Sequence, residues 1–141
     1  MHPAVRGVNM ATVEKVRSEL RQLRKLSHAI DSGERANNRL ERYIKLIVER
    51  EGESRRVIEL RERLKVQKHN TDSFTDKAAE LLSKYSKAIS ELKDLTERTI
   101  ANEAFLNGQS YKCIAHSVFM SEAGVKKRVQ RIYEKIANSL E

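Results

Sequence analysis

Positive and amide-bearing side chains recur at helical spacing late in the chain, and their chemistry is that of a surface that reads DNA. Lys126 and Lys127 follow Glu122 and Ala123 by about one turn, and Gln130 follows by another. These positions share one helix face, because residues three and four apart are neighbours on a helix. A short, basic and polar helix face of this kind can enter a major groove and meet base edges and phosphates.

Two short helices are needed to position that face. Ser110 and Ser121 are suitable N-caps, because a serine oxygen accepts a backbone N–H that the first helical turn leaves unpaired. The apolar spacing after each serine is helical and predicts helices over 110–118 and 121–137 that share one small core. The residues of that predicted core are Ile114, Ala115, Val118, Val125, Val129 and Ile132, with Phe105 closing its third side.

The order of residues in 108–132 also carries a family resemblance. The matching residues are Gly108, Ser110, Lys112, Ile114, Ala115, Val118, Phe119, Met120, Ser121, Val125, Lys126, Arg131 and Ile132. In this pattern the stretch resembles region 4 of sigma factors and the helix-turn-helix of LuxR-type response regulators. It departs from them at Cys113, where an acid is usual, and at Gly124, where threonine is common.

The outward face and the resemblance together give a set of candidate DNA contacts. The helix at 121–137 would enter the major groove, and the helix at 110–118 would brace it across the backbone. Arg128 either contacts phosphate or belongs to a solvated face, and a helical hairpin without any DNA role is the alternative for the whole stretch. The candidate DNA-binding residues are Lys112 (near phosphate), Ser121, Glu122, Ala123, Lys126, Lys127, Gln130 and Arg131.

Composition predicts helices and an anionic partner. The 141 residues are 34% charged and 5% aromatic without tryptophan, which is too polar for one large core and typical of long amphipathic helices. The formal charge of +8 favours a polyanion as partner. Eleven basic and six acidic residues lie in 35–68, which predicts a solvated helix face, with a second nucleic-acid contact as the alternative.

Several classes of function are not expected. One cysteine excludes an internal disulfide, and the histidines lack metal-ligand spacing, so neither a metal nor another cofactor is expected. No nucleophile–base pair or glycine-rich phosphate loop is recognisable, so we expect no enzyme. We expect a cytoplasmic protein, because a single cysteine suits a reducing compartment, and no membrane span, because no apolar run approaches about 20 residues. Residues 1–9 are either a disordered leader or precede a start at Met10.

Two long apolar stripes occupy the first two thirds of the chain. The first runs from Val13 to about Glu51, Gly52 is a candidate break, and a polar turn is expected at 69–73. The second stripe follows that turn to Leu92, and a support helix begins at Leu95. The predicted fold is all-α, with a long amphipathic helical hairpin or coiled coil over 10–94 and a helix-turn-helix domain over 95–141. The aromatic residues expected in the core are Tyr43, Phe74, Tyr85 and Phe105.

The whole layout resembles small phage-encoded regulators of Gram-positive hosts, in which a charged helical region precedes a sigma-region-4-like unit. The resemblance implies transcriptional control of phage genes through double-stranded DNA. The long apolar stripes and the single short recognition helix favour a homodimer, and a monomer that contacts RNA polymerase is the alternative. The alternative is a coiled-coil adaptor, similar to a sigma antagonist, whose C-terminal unit binds protein.

Overall fold

The computed structural model of the chain describes residues 10–140, and this range is helical without strands. Two long helices come first, α1 (Met10–Glu51) and α2 (Arg55–Ser90). The expectation of an all-α protein is therefore confirmed for the described residues, and the leader expected at 1–9 lies outside them.

Three shorter helices complete the described chain. Helix α3 (Leu95–Ala101) continues into a five-residue π-helical segment, Asn102–Leu106. Helix α4 (Tyr111–Val118) and helix α5 (Glu122–Leu140) follow. A break at Leu95 and helices at about 110–118 and 121–137 are thus where the sequence predicts them.

The connection between the two long helices lies at Gly52, which the sequence marks as a candidate break, and not at the polar turn expected to join the two stripes. Gly52 has a positive φ of 74°, which glycine adopts without steric cost, and its N–H donates to the carbonyl of Val48 at 2.8 Å. Ser54 then accepts a hydrogen bond from the N–H of Val57 at 3.3 Å and so caps the start of α2.

The turn predicted at 69–73 is wrong, because α2 runs through it without interruption. Thr71 is buried, and its hydroxyl donates to the carbonyl of Gln67 at 3.0 Å and accepts from the Asn37 amide at 3.4 Å. The chain holds neither glycine nor proline in 53–107. Polar residues alone do not end a helix when tertiary contacts satisfy them, which is why the pattern misleads.

Contacts divide the described chain into two compact units. One, the hairpin unit, is residues 28–77. The other, the composite unit, brings together the described residues before 28 with residues 78–140. The division into 10–94 and 95–141 as domains stays a prediction.

The hairpin unit is an antiparallel pair of helices. Asn37 contacts Thr71, and Glu41 forms an ion pair with Lys68, so residue numbers rise on one helix as they fall on the other. Two helices bury only the one side on which they contact each other, here called the seam, and many of their large apolar side chains remain outside it. The exposed ones are Tyr43, Leu46, Ile58, Val66 and Phe74. Tyr43 and Phe74 are 50% and 39% exposed, so their assignment to the core is wrong.

The composite unit holds the largest buried side chains. Tyr85 and Phe105 are both fully buried, which confirms their predicted place in the core. The Phe105 ring lies 5.8 Å from that of Tyr133, at the distance of an attractive aromatic pair. The first turns of α1 join this core through Val13, Val16, Leu20 and Leu23, which are all buried.

A polar contact fixes α1 against α2 inside the composite unit. Glu19 of α1 accepts hydrogen bonds from the Lys84 ammonium at 2.7 Å and from the Tyr85 hydroxyl. Partial burial raises the pKa of Glu19, but these two hydrogen bonds outweigh it and hold that pKa below its usual value. The carboxylate therefore stays ionised at neutral pH and paired across the two helices.

A substitution at Gly33 tests how closely the two helices of the hairpin unit approach each other. A Cβ on Gly33 would lie 2.5 Å from Oγ1 of Thr71, so we expect Gly33→Ala to destabilise the protein by about 1–3 kcal/mol. In a Thr71→Ala background the same change should instead stabilise it by roughly 1 kcal/mol, the helix preference of alanine over glycine. Urea unfolding followed by circular dichroism measures both. Equal stabilisation in the two backgrounds would contradict the contact.

Candidate nucleic-acid interface

Helix α4 begins as the sequence predicts. Its N-cap is Ser110, whose hydroxyl accepts a hydrogen bond from the N–H of Cys113 at 3.1 Å. Ile114 and Ala115 are buried, and Val118 is half-buried at the end of the helix. The apolar side of α4 therefore faces the core.

The link from α4 to α5 is three residues long and contains an unusual backbone conformation. Phe119 has a φ of 58°, in the left-handed region that a bulky side chain rarely adopts. The conformation ends α4, and the N–H of Met120 then donates to the carbonyl of Ala115 at 3.0 Å. The Phe119 side chain is 96% exposed, so no packing within the described chain compensates for this strain.

Helix α5 also begins at the predicted cap. The Ser121 hydroxyl accepts a hydrogen bond from the N–H of Gly124 at 3.0 Å. A Cβ on Gly124 would lie 3.1 Å from that same hydroxyl oxygen, a close contact that glycine avoids. The buried side of α5 consists of Val125, Val129, Ile132, Tyr133, Ile136 and Ala137.

Every candidate DNA-binding residue lies on the outside of this pair of helices. Four of them have partners within the chain: Lys126 lies 3.5 Å from Glu122, Gln130 accepts a hydrogen bond from Arg17 at 3.0 Å, and Ser121 caps α5. The structure thus brings seven of them together along the start and outer side of α5, while Lys112 lies on α4. The exposed residues are Lys112, Ser121, Glu122, Ala123, Lys126, Lys127, Gln130 and Arg131.

Arg128 has a different role from its basic neighbours on α5. It is half-buried and lies 3.2 Å from Asp94 and 3.6 Å from Glu97. Lys135 forms a second ion pair with Glu97, which is only 2% exposed. These pairs hold α5 against α3, so Arg128 is engaged inside the protein rather than available for phosphate.

Asp94 both caps α3 and pairs with α5. Its carboxylate accepts a hydrogen bond from the N–H of Glu97 at 3.1 Å. This backbone hydrogen bond, helped by the positive charge of Arg128, lowers the pKa of Asp94. The carboxylate is consequently ionised at neutral pH, as both the cap and the ion pair require.

Arginines of α1 contact both helices of the candidate interface, and sequence reasoning missed them. The Arg24 guanidinium lies 4.6 Å over the ring of Tyr111 and donates to the carbonyl of Ala104 at 3.2 Å. The Arg17 guanidinium lies 5.8 Å over the ring of Tyr133. No local pattern could have paired residues so distant in sequence, although the recurrence of arginine at 17, 21 and 24, a helical spacing, is a visible signal.

Burial also affects one tyrosine of this contact. Desolvation raises the pKa of Tyr133 to about 12. The nearby Tyr111 adds to this rise, and the positive charge of Arg21 opposes it. The phenol therefore remains protonated at neutral pH. Its place is in the packing of α1 against α5 and not in acid–base chemistry.

The described residues contain no group of three or more His, Cys, Asp or Glu side chains placed to hold a metal ion. Within the same residues, no helix is both long and apolar enough to cross a membrane. Comparison with protein-family models, curated proteins and solved structures finds no match for this chain.

Val125 tests the arrangement of α4 and α5. It is fully buried, so Val125→Asp places an unpaired carboxylate in the core and should cost on the order of several kcal/mol. Ala123→Asp is the matched control, because Ala123 is exposed in the first turn of α5, where a negative charge is favourable. Thermal melting of the full chain compares them. If both variants melt like the parent, Val125 is not in the core.

Proposed function

We propose that the protein is a DNA-binding transcriptional regulator that uses α4 and α5 as a helix-turn-helix. The observation that carries the proposal is the pair of serine-capped helices, which bury one apolar side and leave a basic, polar side exposed. In this arrangement α5 enters the major groove, and its first turns present Ala123, Lys126 and Lys127 to the bases and phosphates.

The distribution of charge on α5 supports this function. Arg128 and Lys135 are turned toward α3 by Glu97, whereas Lys127 and Arg131 form no ion pair with any residue between 10 and 140. Lys126 has only a long, exposed pair with Glu122, which is worth at most about 1 kcal/mol. Phosphate can therefore compete for the outer cations at little cost.

Helix α4 supplies the second part of the proposed contact. Lys112 is exposed in its first turn, close to the free N–H groups that every helix start presents. An anion is stabilised there by the helix dipole as well as by the lysine. A DNA phosphate beside Lys112 would thus brace α4 across the backbone while α5 reads the groove.

The second candidate function is a protein-binding adaptor. Phe119 favours it, because a fully exposed aromatic ring on a strained backbone has no role in packing this chain. In that function the link between α4 and α5 would dock against another protein, and duplex DNA would bind weakly. The strength and the salt dependence of binding to duplex DNA separate the two candidates.

Lys126 and Lys127 provide the direct test. Changing both to alanine should leave the fold intact, because both side chains are exposed. Affinity for duplex DNA should fall, and the slope of log affinity against log salt should shrink by about 0.9 for each lost phosphate contact. Fluorescence anisotropy over a salt series measures this slope.

The matched control changes Lys45 and Lys65 to alanine, which removes the same charge from exposed positions of the hairpin unit. It should retain the wild-type slope. A Lys126→Ala/Lys127→Ala protein that binds with unchanged affinity and slope would remove these residues from the interface.

A homodimer is part of the proposed function. The hairpin unit exposes Leu46, Ile58 and Val66, each at least half exposed, and exposed apolar side chains favour association. A dimer would also present two copies of α5 to two half-sites, which adds affinity and specificity to a short recognition helix.

Sedimentation equilibrium at micromolar concentration tests the dimer. We expect a species of twice the 16.3 kDa chain mass for the wild type. Ile58→Lys with Val66→Lys should give the monomer, since two charges would then be desolvated at the contact. A single wild-type species at the chain mass, unchanged by DNA, would exclude the dimer and favour a monomer that binds DNA together with RNA polymerase.

A further inference from the structure

The first turns of α1 are strongly basic, although they lie outside the predicted helix-turn-helix. Residues 10–27 hold five basic and two acidic side chains. Both carboxylates are already engaged. Glu14 pairs with Arg17 at 2.7 Å, and Glu19 pairs with Lys84 at 2.7 Å. The remaining positive charge of this segment is therefore not neutralised within α1.

This segment of α1 lies against both helices of the candidate interface. Arg24 stacks on Tyr111, the first residue of α4 and the neighbour of Lys112. Nη2 of Arg17 donates a hydrogen bond to the amide oxygen of Gln130, on the exposed side of α5, at 3.0 Å. The two contacts place α1 alongside the residues that the proposed function directs at DNA.

Two further cations of the segment are exposed, although one of them, Arg21, lies close to the Tyr133 hydroxyl. Arg21 and Lys25 are one turn apart on α1, and Arg21 is also one turn beyond Arg17. Neither forms an ion pair with the residues described here. Arg17, Arg21 and Lys25 thus form a basic row, named here the α1 row, that begins beside Gln130.

We propose that the α1 row binds the phosphates of the same duplex that α5 enters, beyond the base pairs read by α5. The inference rests on the proposed function of α4 and α5 and adds a second contact surface to it. Phosphate is the expected ligand because the row consists only of cations and lies on α1, outside the helix that enters the major groove. Such contacts add affinity and fix orientation without adding sequence preference.

Gln130 has a different role under this inference. Its amide oxygen is held by Arg17, so it links the α1 row to α5 instead of hydrogen-bonding freely to a base. The arginine is in turn positioned over Tyr133, which is fully buried. The row is therefore attached to α5 through packed side chains and keeps its place when DNA binds.

The experiment replaces Arg21 and Lys25 with glutamine in the full chain. Both side chains are exposed, so thermal melting should show an intact fold. Binding to a mixed-sequence DNA duplex is measured by fluorescence anisotropy over a salt series. We expect the slope of log affinity against log salt to shrink by about two units, since each phosphate contact contributes about 0.9.

Two comparisons make the result decisive. Arg63→Gln with Lys65→Gln removes the same charge from exposed positions of the hairpin unit and should keep the wild-type slope. The loss in the Arg21→Gln/Lys25→Gln protein should also be equal for duplexes of different sequence, because phosphate contacts carry no base information.

The proposed role of the α1 row is overturned if the Arg21→Gln/Lys25→Gln protein keeps the wild-type salt slope while the Lys126→Ala/Lys127→Ala protein shows a reduced one. That outcome leaves the helix-turn-helix function standing. Equal losses in the row variant and in the Arg63→Gln/Lys65→Gln control would also overturn the row, because net charge alone would explain them. If the wild-type protein does not bind duplex DNA, the proposed function fails and the row fails with it.

Discussion

The apolar stripe at the start of α1 must leave water, and its burial in the composite unit determines much of the rest of the structure. Val16 and Leu20 are almost completely buried, as are Tyr133 and Ile136 on α5. Each apolar side chain of this size contributes about 1.5–3 kcal/mol when it is fully buried. Helices α3 and α4 have only 7 and 8 residues, and α1 with the end of α2 completes the core that they share with α5. The same packing sets the arginines of α1 beside the exposed side of α5.

A division of the cations follows from one buried carboxylate. Glu97 is almost inaccessible to water and needs positive partners, because an isolated buried charge is costly. Arg128 and Lys135 meet this need and hold α5 against α3. Lys126 and Lys127, which directly precede Arg128 on α5, are left outside. A helix with basic residues on several sides is thus separated into a structural side and a side that can bind a polyanion.

Local chemistry made parts of this structure predictable. Ser110 and Ser121 could be recognised as caps because each hydroxyl accepts a hydrogen bond from a backbone N–H only three residues later in the sequence. The continuity of α2 at Thr71 was not predictable, since it depends on Asn37 and Gly33 of another helix. Helical spacing likewise placed Tyr85 in the core but could not show that Phe74 and Tyr43 lie outside the seam. The engagement of Gln130 by Arg17 is a long-range contact that no local pattern contains.

The distance in sequence between those two residues has a consequence for how the chain folds. Arg17 and Gln130 are 113 residues apart, and their contact closes a loop that includes nearly all of the described chain. All-helical proteins usually fold fast because their contacts are local, whereas contacts between distant segments slow the search. On the ribosome the hairpin can form while the later helices are still being made, but the start of α1 must wait for α5 before its packing is complete. Until then its apolar stripe is exposed and is the surface on which a chaperone would act.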